Sequence, residues 1–180
     1  SPITTFTDPG HRLRRPRDIV AGPDGNLWFT ADTDQLGRIT PGGEITLYRD
    51  PAGLIDAPDT IVTGADGALW FTSLGDRIGR ITTSGDITSF PVGGGDAWGP
   101  LALAPGADGN IWFTTASNQV GRMTPTGDVV VFDGNPPEVV FPSHMAAGPD
   151  GNVWFTNLLN GRIGRVTPDG QITTYDVSET

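Results

Sequence analysis

Ala21-Gly22-Pro23-Asp24-Gly25-Asn26-Leu27-Trp28-Phe29-Thr30 reads as a hairpin turn feeding a β-strand, and the chain repeats it three more times. The copies end in Leu69-Trp70-Phe71-Thr72, Ile111-Trp112-Phe113-Thr114 and Val153-Trp154-Phe155-Thr156, with each Trp 42 residues after the last. Self-similarity at a fixed period of this length is the mark of a repeat architecture. A second block trails the first: Gly37-Arg38-Ile39-Thr40, Gly79-Arg80-Ile81-Thr82 and Gly121-Arg122-Met123-Thr124. The fourth copy, Gly164-Arg165-Val166-Thr167, comes one residue late, so its connecting loop carries an insertion.

Each repeat divides into four short strands. The first is small and apolar, as in Asp18-Ile19-Val20-Ala21. Pro23-Asp24-Gly25-Asn26 then turns the chain, Gly supplying positive φ and Asp bonding within its own turn. Leu27 to Thr30 is aromatic and β-branched, the composition of a strand. A polar loop leads to the third strand, Gly37 to Thr40, and Pro41-Gly42-Gly43 turns into a fourth that alternates polar and apolar from Glu44 to Tyr48. Helical periodicity is absent. The expectation is an all-β chain, a β-propeller of four antiparallel blades at about 16–48, 58–90, 100–132 and 142–175, in one domain over 1–180. Ile3-Thr4-Thr5-Phe6 matches the outermost strand Ile45-Thr46-Leu47-Tyr48, and the chain also closes on such a strand, Ile172-Thr173-Thr174-Tyr175. The count is therefore four blades plus an extra outer strand at 3–6. That reads either as part of a larger ring or as a chain that self-associates, most simply a two-fold dimer closing an eight-bladed ring.

Charge and composition narrow the partners. Twenty-one Asp and Glu face 11 basic residues, all Arg, for a net −10. This sign disfavours nucleic acid and anionic membrane. No apolar run approaches a membrane span. There is no Cys, which removes disulfides, thiolate metal ligands and thiol nucleophiles. The 26 Gly and 16 Pro recur in phase with the repeat, so they mark turns rather than disorder. The compartment is left open between cytoplasm and export.

The block from Ala21 to Thr30, followed by Leu36-Gly37-Arg38-Ile39-Thr40 and Gly43-Glu44-Ile45-Thr46, resembles a blade of the virginiamycin B lyase (streptogramin lyase) family. The resemblance covers nearly the whole chain, four times over. It implies a propeller, seven-bladed in that family. It also implies a magnesium-dependent carbon–oxygen lyase that linearises streptogramin B antibiotics by elimination. In that family catalytic His residues follow a Pro at the head of the innermost strand in consecutive blades, and one copy has a Glu two residues before its His. The matching positions here are Arg17, Asp59, Leu101 and Ser143, none of them His, and Arg15, Ala57, Gly99 and Phe141, none of them Glu. His144 stands one residue late, and strict strand alternation turns it to the opposite face. On this reading the four blades lack the catalytic set and no cofactor is expected, magnesium belonging only to an active lyase.

Residues outside the repeat are the candidates for binding a small molecule or protein on the rim. His11-Arg12-Leu13-Arg14-Arg15-Pro16-Arg17 is a basic run entering the first inner strand, either a solvated loop or a place for an anion or an acidic partner. Trp98 stands in the loop Gly93-Gly94-Gly95-Asp96-Ala97. The ligand-binding set is therefore Arg15, Arg17, Asp59, Trp98, Ser143 and His144, with His144 the one weak catalytic candidate. Asp18 and Asp59 at strand heads make a thin metal signal, two carboxylates without further partners. Two functions compete: a lyase-like binding module without catalysis, and an active lyase whose catalytic residues lie in other blades or have been replaced.

Overall fold

A computed structural model describes residues 3–8, 10, 13–32, 34–50, 52–93, 99–133 and 138–177. Four separate four-stranded antiparallel sheets follow one another along the chain, each in simple up-and-down order. They are the blades of a partial β-propeller, and they do not close into a ring. Blade 1 runs through Pro16–Ala21, Leu27–Ala31, Gln35–Ile39 and Ile45–Arg49. The inner strands of blades 2, 3 and 4 are Ile61–Thr63, Pro100–Pro105 and Pro142–Ala147. Among the described residues there is no helix, hence none long and apolar enough to cross a membrane.

Among the described residues the core is three clusters, one at each join between blades. Trp28 and Leu36 of blade 1 pack on Ile61, Leu69, Phe71 and Ile81 of blade 2. Trp70 and Ile78 meet Leu103, Ile111, Phe113 and Met123 in the same way, and Trp112 and Val120 meet Val153, Phe155 and Val166. Each blade thus has a trailing face built on its Trp and a leading face built on its Phe. Trp28, Trp70 and Trp112 are fully buried, whereas Trp154, in the fourth blade, is half-buried. The four Trp are therefore equivalent in their own blades but not in their cover.

Local chemistry explains why the block recurs. Each indole is sandwiched between an outer-strand aromatic and an Arg. Trp70 stacks on Phe90 at 5.7 Å, with Arg80 5.8 Å from its other side. The Nε1–H donates to the turn Asp four residues earlier, Trp70 to Asp66 at 3.1 Å and Trp28 to Asp24 at 3.0 Å. One carboxylate so fixes the turn, the indole and, in blade 2, Arg80 at 2.8 Å. Gly79 has a different reason. It stands opposite Phe71 across the sheet, and the ring lies so close that a Cβ on Gly79 would come within 2.0 Å of it.

The segment expected as a strand at 3–6 joins none of the four sheets. Strand propensity alone does not hold a ladder together. Phe6 nevertheless sits over Gly43, where a Cβ would come within 2.1 Å of its ring. Tyr48 has the same place over Gly85, Phe90 over Gly127 and Phe132 over Gly170. Phe6 thus takes the position that the outer aromatic of a preceding blade would hold.

Candidate functional site

The long crossovers enter each blade at the head of its inner strand, and there the backbone departs from regular pleating. Pro16 pairs with Ala31 but Ile19 pairs with Phe29, so Arg17 and Asp18 together stand opposite Thr30. The same bulge inserts Leu101 between Pro100 and Ala102, and Ser143 between Pro142 and His144. The residue before the proline is also unusual. Arg15, Ala57 and Phe141 have φ of 41°, 39° and 50°. Positive φ is uncommon for non-glycine residues, and an extended backbone is the norm before proline. Three blades hold this costly conformation at one rim, where strain of this kind accompanies binding sites.

Arg17 Nε lies 3.0 Å from Asp32 Oδ1, and its Nη1 lies 3.1 Å from Asp59 Oδ1 of the next blade. The hydrogen bonds that Arg17 donates to Asp32 and Asp59 raise its pKa above the ordinary value. Arg15 is almost fully exposed, 3.5 Å from Asp32. The Thr30 hydroxyl is fully buried, accepts from Asp18 N–H at 3.1 Å and donates to the Asp59 carbonyl at 2.6 Å, tying the first two strand heads together.

At blade 4 the bulge changes the expectation from alternation. Ser143 and His144 are neighbours on the strand, yet Ser143 Oγ is 3.3 Å from His144 Nδ1 and 3.0 Å from Thr156 Oγ1. Two residues opposing one re-aim their side chains, so a one-residue slip here does not turn His144 away from the strand-head position.

Arg17, Asp18, Asp59, Thr60 and His144 line one concavity of about 410 Å³ along the inner strands. It brings together three of the six binding candidates read from the sequence. Arg15 does not line it, and Ser143 enters only through its contact with His144. Trp98, like His11 and Arg12 of the basic run, lies outside the described residues. Asp18 and Thr60 were not in that set. Asp18 was read there only as half of a thin metal signal, and the signal for Thr60 was position alone, one residue after a strand head.

The donors do not suit a resident magnesium ion. Asp18 Oδ1 accepts from Ile19 N–H at 2.9 Å and Oδ2 from Ile61 N–H at 2.8 Å, while Asp59 is engaged by Arg17. Among the described residues no group of three or more His, Asp or Glu converges on one point. The arrangement can instead offer hydrogen bonds of both signs: guanidinium and hydroxyl donors, carboxylate acceptors, and an imidazole that does either.

The model of the virginiamycin B lyase family matches residues 3–180. A streptogramin B lyase structure is 34% identical with a TM-score of 0.82, covering 92% of this chain and 55% of its own. A catalytically inactive virginiamycin B lyase from Staphylococcus aureus, solved with quinupristin, is 32% identical with a TM-score of 0.85, covering 94% and 58%. The chain thus spans a little over half the length of the lyases it matches. A structure described as a putative gluconolactonase, 18% identical with a TM-score of 0.68, shares the fold alone. The comparison with curated proteins gave no match.

Proposed function

The chain belongs to the virginiamycin B lyase family, and from that premise we propose that its four blades bind a small molecule at the strand heads without opening a streptogramin ring. The carrying observation is the set Arg17, Asp59, Leu101 and Ser143, which fills the positions where the resemblance implies His. An elimination needs a base to take a proton, ordinarily a group with a pKa near the working pH. Arg17 is cationic and tied to two carboxylates, Leu101 has no titratable group, and Asp59 is committed to Arg17. What remains suits recognition: a concavity with fixed donors and acceptors, walled by Ile61 and Leu103.

A second reading has its own observation. Ser143 and His144 lie within reach of each other, so His144 is a base candidate for an active lyase.

Quinupristin with magnesium distinguishes the two. The binding reading expects a calorimetric signal weakened by Arg17→Ala, with the antibiotic recovered still cyclic by chromatography and fragmentation, since an elimination within the ring leaves its mass unchanged. Ring opening abolished by His144→Ala would replace it with the lyase reading. No detectable binding would remove the ligand site.

A further inference from the structure

A threonine stands near the end of every second strand, as Thr30, Thr72, Thr114 and Thr156, and its hydroxyl is used differently from blade to blade. Thr30 spends it fully, accepting from Asp18 N–H and donating to the Asp59 carbonyl of the next blade. Thr72 accepts from Thr60 N–H at 3.0 Å in the same way, but its own proton has no acceptor among the described residues. The Leu101 carbonyl, equivalent to that of Asp59, is taken by the Thr60 hydroxyl at 3.2 Å. The cause is one change within the repeat. Thr60 stands where blade 1 has Asp18, whose carboxylate cannot donate and accepts from Ile61 N–H instead. Thr72 is only 3% exposed, so a donor is left without a partner in a place that water barely reaches.

That threonine lines a concavity of about 330 Å³ between the heads of blades 2 and 3. The concavity lies at an inner join, with a further blade of this chain on either side. Leu74, Pro100 and Leu101 wall it, and Leu74 is 55% exposed. Arg17 and Asp59 line both it and the 410 Å³ concavity, so their ion pair lies between the two. Each partner of that pair keeps a spare atom. Arg17 gives Nε to Asp32 and Nη1 to Asp59 Oδ1, while Arg17 Nη2 and Asp59 Oδ2 make no hydrogen bond among the described residues. Ser73 adds nothing, because its hydroxyl is closed on the N–H and carbonyl of Asp56.

We propose that this concavity is a second subsite of the ligand site, and that it takes a neutral amide carrying an aliphatic group. The inference rests on the ligand reading above and names the chemistry of the ligand. Arg17 Nη2 and the Thr72 hydroxyl donate, so the ligand brings an acceptor. Asp59 Oδ2 accepts, so the ligand also brings a donor. Leu74, Pro100 and Leu101 call for an apolar flank. An amide meets all three demands without charge. A carboxylate supplies the acceptor but meets Asp32 and Asp59, two negative charges against the one Arg17 they hold. An ammonium satisfies Asp59 and leaves Thr72 with nothing to donate to. The neighbouring join has no equivalent subsite, since Thr30 and Asp18 are already spent there.

The test titrates N-acetyl-L-leucinamide, the anion of N-acetyl-L-leucine, and quinupristin into the 180-residue chain and three variants, read by calorimetry and saturation-transfer NMR. The leucinamide should bind about tenfold more tightly than the anion. Thr72→Val removes the hydroxyl and keeps the shape, and should weaken the leucinamide about tenfold, the worth of one buried hydrogen bond. Thr72→Ser should restore the affinity. Leu74→Asp, at an exposed side chain, should also weaken it, and carries the test even where Thr72→Val fails to fold. No binding of the leucinamide, equal binding of the anion, or an affinity unchanged by Leu74→Asp or by a folded Thr72→Val overturns the proposal. Quinupristin separates the two readings. Its binding without a response to the leucinamide removes the amide subsite alone, and the absence of both removes the ligand site with it.

Discussion

Arg17 Nη1 and Asp59 Oδ1 stand 3.1 Å apart, joining the first two blades at the heads of their inner strands. Both side chains are well exposed, so solvent screens the pair and its contribution to stability is small, under about 1 kcal/mol. Its weight falls on the site. Arg17→Ala should leave the melting temperature nearly unchanged while it weakens ligand binding, because the same guanidinium lines the 410 Å³ concavity. Parallel calorimetry and thermal melts check this. A large fall in stability would make Arg17 a structural residue.

Truncating the indoles should separate the middle of the arc from its end. Trp112 is fully enclosed between blades 3 and 4, and Trp112→Ala should cost about 3–5 kcal/mol. Trp154 has equivalent partners in its stacked Tyr175 and turn Asp150 but is only half-buried, so Trp154→Ala should cost clearly less. Urea denaturation of both variants reads the difference. Equal costs would mean that the trailing face of blade 4 is covered in solution.

Gly79→Ala should destabilise more than a surface glycine change. The added methyl meets the Phe71 ring, which is itself enclosed and cannot retreat. Overpacking of this kind costs about 1–3 kcal/mol. Gly79→Ala combined with Phe71→Leu should recover part of the loss, measured as a double-mutant cycle.

Acid should loosen the blades through their turn carboxylates. At Asp24 and Asp66 burial pushes the pKa up, but hydrogen bonds from Asn26 and Trp28, and from Trp70 and Arg80, hold both below the usual carboxylate range. Hydrogen bonds from Asn152 and Trp154 lower Asp150 to about 2. Each is therefore protonated more readily unfolded than folded. Their contribution is whole above about pH 4, the unfolded value, and is lost as pH falls toward 2. Thermal melts at pH 7, 4 and 2.5 should show little change in the first step and a marked drop in the second. Asp66→Asn should make that second drop shallower.

The period of Trp28, Trp70, Trp112 and Trp154 carried the blades into view, because one residue type recurs with one job. Asp24 and its copies were legible as turn residues for the same reason. The bulges were not. Alternation assumes a regular ladder, and no residue type announces the extra residue at Ser143, so His144 read as facing away. Ile3 to Phe6 failed for another reason: the pattern of a strand is written in its residues, but the partner that makes it one is not. The site lies between blades. Arg17 finds Asp59 only because the repeat stacks, and a one-dimensional reading could place each at a strand head without bringing them together.

That the buried apolar side chains among the described residues fall into three separate clusters has a dynamic consequence. Each blade is held by its neighbours alone, as in other stacked repeats, so opening is local and begins where a neighbour is lacking. Amide hydrogen exchange should therefore grade along the chain. Protection should be greatest in Leu69–Ser73 and Ile111–Thr115, the second strands of blades 2 and 3. It should be lower in Leu27–Ala31 and in Val153–Asn157. The proposed ligand site straddles that gradient. Arg17 and His144 sit on the two blades that open first, so a molecule bound between them would slow exchange most at the ends of the arc.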